Sequence, residues 1–156
     1  MTPSMQAHIR RVFEAPAAYQ TGIETEFTVL LIASNLESRR TVRNVLEALS
    51  IEVISCSTLS QARQSLSLQR PNLIFCEERL PDGGYEDLLD VDYEGRVPPP
   101  LVVLTHTGEW DLYVDATRRG AFDVIRSPWC PTDIELSLIR AAAAREAKQN
   151  ASRAIR

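Results

Sequence analysis

Residues 71–84, PNLIFCEERLPDGG, carry the reading of the fold. NLIFC (72–76) is an apolar run of strand length, with no polar residue alternating through it to face water. It ends on an acidic pair, Glu77 and Glu78, and the turn residues Pro81, Asp82, Gly83 and Gly84 stop it. A strand covered on both faces belongs in a parallel sheet, where each connection is a crossover that lays a helix on the sheet. The chain on either side should therefore alternate strand and helix.

It does. FTVLLI (27–32) is a second unbroken apolar run, and Val42, Val45, Leu46 and Leu49 then recur at helical spacing, giving a helix over about 35–49. Ser34 and Glu37 have capping-box spacing at its start. IEVIS (51–55) alternates as a strand, and Thr58 with Gln61 repeats the capping-box spacing before Leu59, Ala62 and Leu66. After residue 84 come a short helix around 85–90, a loop with Pro98, Pro99 and Pro100, a strand LVVLT (101–105) and a helix over about 109–119 stopped by Gly120. FDVI (122–125) is the fifth strand. Pro131 suits a first helical turn, and Ile134, Leu138 and Ile139 form the buried stripe of the last helix. Five strands alternate with five helices, which predicts an α/β domain: a parallel sheet with helices on both faces and right-handed crossovers. In that architecture ligand chemistry sits at the carboxyl ends of the strands, at Ala33, Ser34, Glu77, Thr105 and Ser127.

The totals narrow the function classes. The chain has 156 residues, 44% of them apolar, enough for one domain with its own core. A net charge of -4 has the wrong sign for general attraction to nucleic acid. No apolar run approaches the roughly 20 residues that cross a bilayer, and no secretion signal opens the chain, so a cytoplasmic protein is expected. Cys56, Cys76 and Cys130 form no CxxC pair and read as small buried hydrophobes, with no metal and no cofactor expected. Residues 1–26 read as an arm, in part helical, residues 27–144 as the domain, and 145–156 as an extension of the last helix with a basic lean from Arg145, Lys148, Arg153 and Arg156.

From Thr28 to about Ala144 the chain resembles the receiver domain of bacterial response regulators, in the order and spacing of TVLLIASNLESRRTVRNVLEAL, PNLIFCEERLP, LVVLT and RRGAFDVIRSP. The resemblance implies a flavodoxin-like sheet of strand order 2-1-3-4-5. It also implies signal transduction in which a kinase histidine passes a phosphoryl group to an aspartate ending the third strand. In the family a divalent metal is held by that aspartate and an acidic pair after the first strand, a lysine pairs the phosphoryl oxygens, and a hydroxyl residue swings to bind them. Those positions here are Glu77 (acceptor), Ala33 and Ser34 (acidic pair), Ser127 (lysine) and Thr105 (hydroxyl), with Val124 at the aromatic switch position. Only Thr105 keeps its chemistry. The turn PDGGYEDLL is also one residue shorter than usual.

Magnesium is anchored by carboxylates in near-octahedral array, and Glu77 beside Ala33 is a poor anchor. Without metal or lysine nothing offsets the charge of a transferring phosphoryl group. With two of three clustered carboxylates gone, a lysine has little left to neutralise, which makes Ser127 coherent with Ala33 and Ser34. Arg126 should alternate to the opposite face and not substitute.

Glu77 reads either as a solvated strand-end carboxylate or as a partial imitation of a phosphate, with Thr105 as its natural partner. Ser34 reads as a helix cap, and His106 as a surface residue. Trp110, Tyr113 and Val114 on the fourth helix, with Trp129 on the adjacent loop, mark a candidate interaction face, since aromatic residues are enriched in interface cores, with core packing as the competing reading. The expected function is a stand-alone, receiver-like module that binds protein partners or a second copy of itself, through this face or the last helix, without phosphorylation controlling it. The competing readings are a phosphoacceptor that self-catalyses transfer onto Glu77 or Asp82, and a small-molecule sensor using the space left by the missing carboxylates and lysine.

Overall fold

The computed structural model describes residues 27–107 and 109–154, so the expectation for the arm at 1–26 lies outside the described residues. Strands β1 (Thr28–Ile32), β2 (Glu52–Cys56), β3 (Leu73–Glu77), β6 (Leu101–Thr105) and β7 (Asp123–Arg126) form one parallel sheet of order β2-β1-β3-β6-β7. Leaving aside the two-residue strands β4 (Arg79–Leu80) and β5 (Gly83–Gly84), this is the order 2-1-3-4-5. β3 and β6 lie at the centre and are buried throughout, which is why they read as continuous apolar runs, while the edge strand β2 alternates.

Helices cover both faces. Val42 and Leu46 of α1 (Leu36–Ala48) and Ile134, Leu138 and Ala141 of α5 (Pro131–Ala154) pack on Val29, Leu31, Leu73, Phe75, Val102 and Leu104. On the other face Leu59, Ala62 and Leu66 of α2 (Leu59–Leu68), Leu88 of α3 (Glu86–Leu89) and Ala116 of α4 (Trp110–Arg119) pack on Leu30, Ile32, Ile74, Cys76, Leu101 and Val103. Burying one such Leu, Ile or Phe side chain contributes about 1.5–3 kcal/mol.

Local chemistry sets the helix ends. Thr58 caps α2 by accepting from the Gln61 amide, as the spacing predicts. α1 departs from the expectation: its cap is Asn35, whose side-chain oxygen accepts from Ser38 N at 3.1 Å, so the cap and its first-turn donor both lie one residue later than the Ser34/Glu37 spacing predicts. Ser34 is thereby released to the strand edge. Gly120 ends α4 with φ 109°, a conformation that carries no penalty only when there is no Cβ. α5 continues without a break to Ala154, 24 residues and so about 36 Å.

The short PDGG segment is a tight antiparallel hairpin, Arg79 opposite Gly84 and Leu80 opposite Gly83, with Pro81 and Asp82 at its tip. Asp82 reaches α2, where Oδ1 and Oδ2 accept from the amides of Leu59 (2.8 Å) and Ser60 (3.0 Å). Those bonds hold its carboxyl below the usual carboxylate range. Cys56 and Cys76 are buried as expected, but Cys130 is exposed, on the loop before α5. Among the described residues no helix is long and apolar enough to cross a membrane.

Candidate functional site

Parallel strands gather Ala33, Ser34, Glu77, Thr105 and Ser127 at one edge of the sheet, but they do not make one cluster. Successive residues of a strand face opposite ways, so the two acids ending β3 go to different neighbours. Glu77 turns toward the β1–α1 junction, where Oε1 accepts from Asn35 N at 3.3 Å and the carboxylate is hydrogen-bonded by the Ser34 hydroxyl. It is only 6% exposed, which overturns the solvated reading: α1 begins directly over it and excludes water. Burial raises its carboxyl above the usual value, against the opposing pull of the Asn35 amide, the charge of His106, the Ser34 hydroxyl and the charge of Arg39.

Because the folded state holds the Glu77 proton more tightly than the unfolded chain, stability falls as pH rises from the ordinary carboxylate value of 4.5 through the higher folded value, and then levels off. Glu77→Gln removes that charge and retains an oxygen for the Asn35 amide. It is expected to raise the midpoint of thermal unfolding at neutral pH, with the gain shrinking to nothing below the ordinary carboxylate value, in melts recorded across pH; a gain of equal size at every pH would refute it.

Glu78 turns the other way. Its Oε2 accepts from the Thr105 hydroxyl at 2.8 Å, and Thr105 Oγ1 in turn accepts from Thr107 N at 3.0 Å. Thr105 is buried at 1% exposure, and its retained hydroxyl is committed to Glu78, where imitation of a phosphate by Glu77 would have it on Glu77. Sequence reasoning gave Glu78 weaker claims than Glu77 and did not single out Asn35. The signal for Glu78 lies in register: Glu77 pairs Leu104 and Glu78 N donates to Leu104 O, so the next residue of each strand is Glu78 and Thr105.

Magnesium does not fit this edge. Ala33, fully buried, presents a methyl group, Ser34 a hydroxyl already on Glu77, and one Glu77 oxygen is held by a backbone amide. Ser127 is exposed and donates its backbone amide to Thr105 O at 2.8 Å. Among the described residues no group of three or more His, Cys, Asp or Glu side chains could hold a metal ion.

Val124 leaves a cleft of about 220 Å³ between β6, β7 and α4, lined by Thr105, Glu109, Trp110, Tyr113, Val124 and Arg126. None of Ala33, Ser34 or Glu77 lines it. At its mouth Trp110 and Tyr113 stack with ring centroids 5.4 Å apart, 73% and 40% exposed, and Val114 is half-buried on the same helix. Trp129 does not join them. It is 7% exposed, packed with Ile125, Ile134 and Leu138 on the α1–α5 face of the sheet. The exposed His106 ring lies 4.9 Å from it.

A five-stranded parallel sheet of this order, with a buried acid ending its central strand and a buried threonine on the next, defines the receiver class of α/β domain. No protein-family model matches the chain. It is 30% identical over 122 residues to the C4-dicarboxylate transport transcriptional regulatory protein DctD of Pseudomonas aeruginosa, covering 76% of this chain and 26% of that one. The crystal structure of the signal receiver domain of a putative LuxO repressor protein from Vibrio parahaemolyticus superposes with a TM-score of 0.67 at 25% identity, over 78% of this chain and 97% of that one. The solution structure of a beryllofluoride-activated NtrC4 receiver domain dimer gives 0.69 at 20% identity, over 75% and 97%. The chain belongs to the response-regulator receiver domain family, whose members serve two-component signal transduction. It spans about a quarter of the length of DctD.

Proposed function

We propose that this receiver domain works in signal transduction as a protein-binding module whose docking state is not set by phosphorylation. The observation that carries the reading is the Thr105–Glu78 hydrogen bond at 2.8 Å. In the resembled mechanism that hydroxyl moves when a phosphoryl group arrives; here a resident carboxylate already holds it. The donor set at Ala33, Ser34, Glu77 and Ser127 supports the same reading, since it supplies neither a metal anchor nor a cation for phosphoryl oxygens. Asp82 is a weaker acceptor still, with both its oxygens engaged at the start of α2. Incubating the protein with acetyl phosphate and magnesium should leave its intact mass unchanged; a stoichiometric phosphoryl adduct defeats the proposal.

The docking surface we assign is the α4–β7 side, with Trp110 and Tyr113 as anchors, since large aromatic side chains stacked at the surface combine apolar area with little rotamer freedom to lose. A second copy of the chain is the partner most directly tested, and receiver domains do dimerise, as the NtrC4 structure records. Trp110→Ala is expected to weaken self-association by roughly tenfold or more, the scale of an aromatic anchor, measured by light scattering across a dilution series. An unchanged dissociation curve removes Trp110 from the surface.

A further inference from the structure

At the opposite end of the sheet from Glu77, two adjoining clefts of about 480 and 360 Å³ open beneath the proline-rich loop before β6. Both are lined by Tyr93, Val97, Pro99 and Arg145. The larger adds Leu88, Leu89 and Phe122 as apolar wall, and each volume falls in the range of small-molecule sites. The charge of the lining is one-sided. Arg119, Arg145 and Lys148 line the first cleft, Arg70, Arg96 and Arg145 the second, and among the described residues no aspartate or glutamate lines either, in a chain with 21 acidic residues against 17 basic ones.

Arg145 joins the two clefts and is half-buried. Among the described residues its hydrogen bond goes to a neutral carbonyl, Pro71 O at 3.2 Å, and no carboxylate pairs with it. Burial without a compensating anion draws its guanidinium below the usual value. A guanidinium carries five donors, so most of its hydrogen-bonding capacity remains unused in a partly desolvated place. By contrast Arg119 is neutralised by Asp115 at 2.8 Å.

We propose that these clefts form a binding site for a small organic anion, a phosphate, sulfonate or carboxylate on a flat apolar body. Arg145 receives the anionic group in fork geometry, with Lys148 and Arg70 at the rim, and the body lies against Tyr93, Leu89 and Phe122. The site is independent of the phosphorylation reading, because it shares no residue with the carboxyl edge.

The test is a fluorescence titration of the full chain with anilinonaphthalene sulfonate beside its uncharged parent, phenylnaphthylamine. We expect saturable one-site binding of the sulfonate and at least about tenfold weaker binding of the parent, the scale of a charge-assisted hydrogen bond. Arg145→Met should weaken sulfonate binding by about tenfold or more, while Arg43→Met, an equal loss of charge on the exposed face of α1, should leave it unchanged. Lys148→Met and Arg70→Met, at exposed rim positions, should each weaken it and serve if Arg145→Met does not fold. Unsaturable binding, equal affinity for the uncharged parent, or equal effects of Arg145→Met and Arg43→Met would overturn the site.

Discussion

Ala33→Asp, Ser34→Asp, Glu77→Asp and Ser127→Lys combined should let the chain take up a single phosphoryl group per molecule from acetyl phosphate and magnesium, where the unaltered chain is expected to take up none. The physical case rests on mutual dependence. Three carboxylates at one strand edge repel unless a divalent cation and a lysine stand among them, and the cation needs those carboxylates as ligands. Any single replacement therefore gains nothing: an aspartate at 33 faces no metal partner beyond Glu77, and a lysine at 127 faces no phosphoryl oxygen. Shortening Glu77 to aspartate also withdraws its oxygen from Asn35 N, now 3.3 Å away, and frees it to react. Thr105 still has to leave Glu78 to meet the new group, so uptake should be slow but complete. Intact mass reads the result directly. A folded quadruple variant with no adduct would show that these four side chains are not what separates the chain from a working acceptor.

Thr105→Val is the second large effect. It keeps the β-branched shape in β6 but removes the donor to Glu78 Oε2 and the acceptor for Thr107 N, leaving a half-buried carboxylate and the amide of an exposed residue without these partners. Leaving buried polar groups unsatisfied costs about 1–3 kcal/mol, and since water reaches these groups in part the loss should lie near the lower end, about 1 kcal/mol. For a domain of this size that lowers the thermal midpoint by roughly 2–4 °C per kcal/mol. Glu78→Gln alone should cost less, because an amide oxygen still accepts from the hydroxyl. The double variant should then show a coupling on the order of 1 kcal/mol, the mark of a direct interaction. Additive effects of the two changes would mean that the 2.8 Å contact contributes nothing to stability.

The sheet was legible because β1, β3 and β6 are covered on both faces and so write themselves as apolar runs. Their ends were not. Side-chain polarity suggested that the third and fifth strands stop at residues 76 and 125, yet pairing continues to Glu77 and Arg126, because ladder bonds are made by the backbone whatever the side chain is. The opposite shift occurs at the start of the fifth strand. Phe122 N donates to Leu101 O, but β7 begins only at Asp123.

The candidate site was legible as a set of positions and not as a set of contacts. Glu77 looked solvated since nothing local reveals that α1 starts above it; that depends on Asn35, not Ser34, taking the cap. For Trp129 the sequence left interface and core open, and the indole lies in the core beside α5. Trp110 and Tyr113 needed only helical periodicity to be placed outside.

The divergence of Glu77 and Glu78 has a mechanical corollary. The central strand is bolted at its tip to a neighbour on either side, through Asn35 N toward β1 and through Thr105 toward β6. Three strands are thus tied together at this end of the sheet by two side-chain hydrogen bonds from adjacent acids. If docking is not set by phosphorylation, as proposed above, a change of shape would begin elsewhere in the domain and not at this edge.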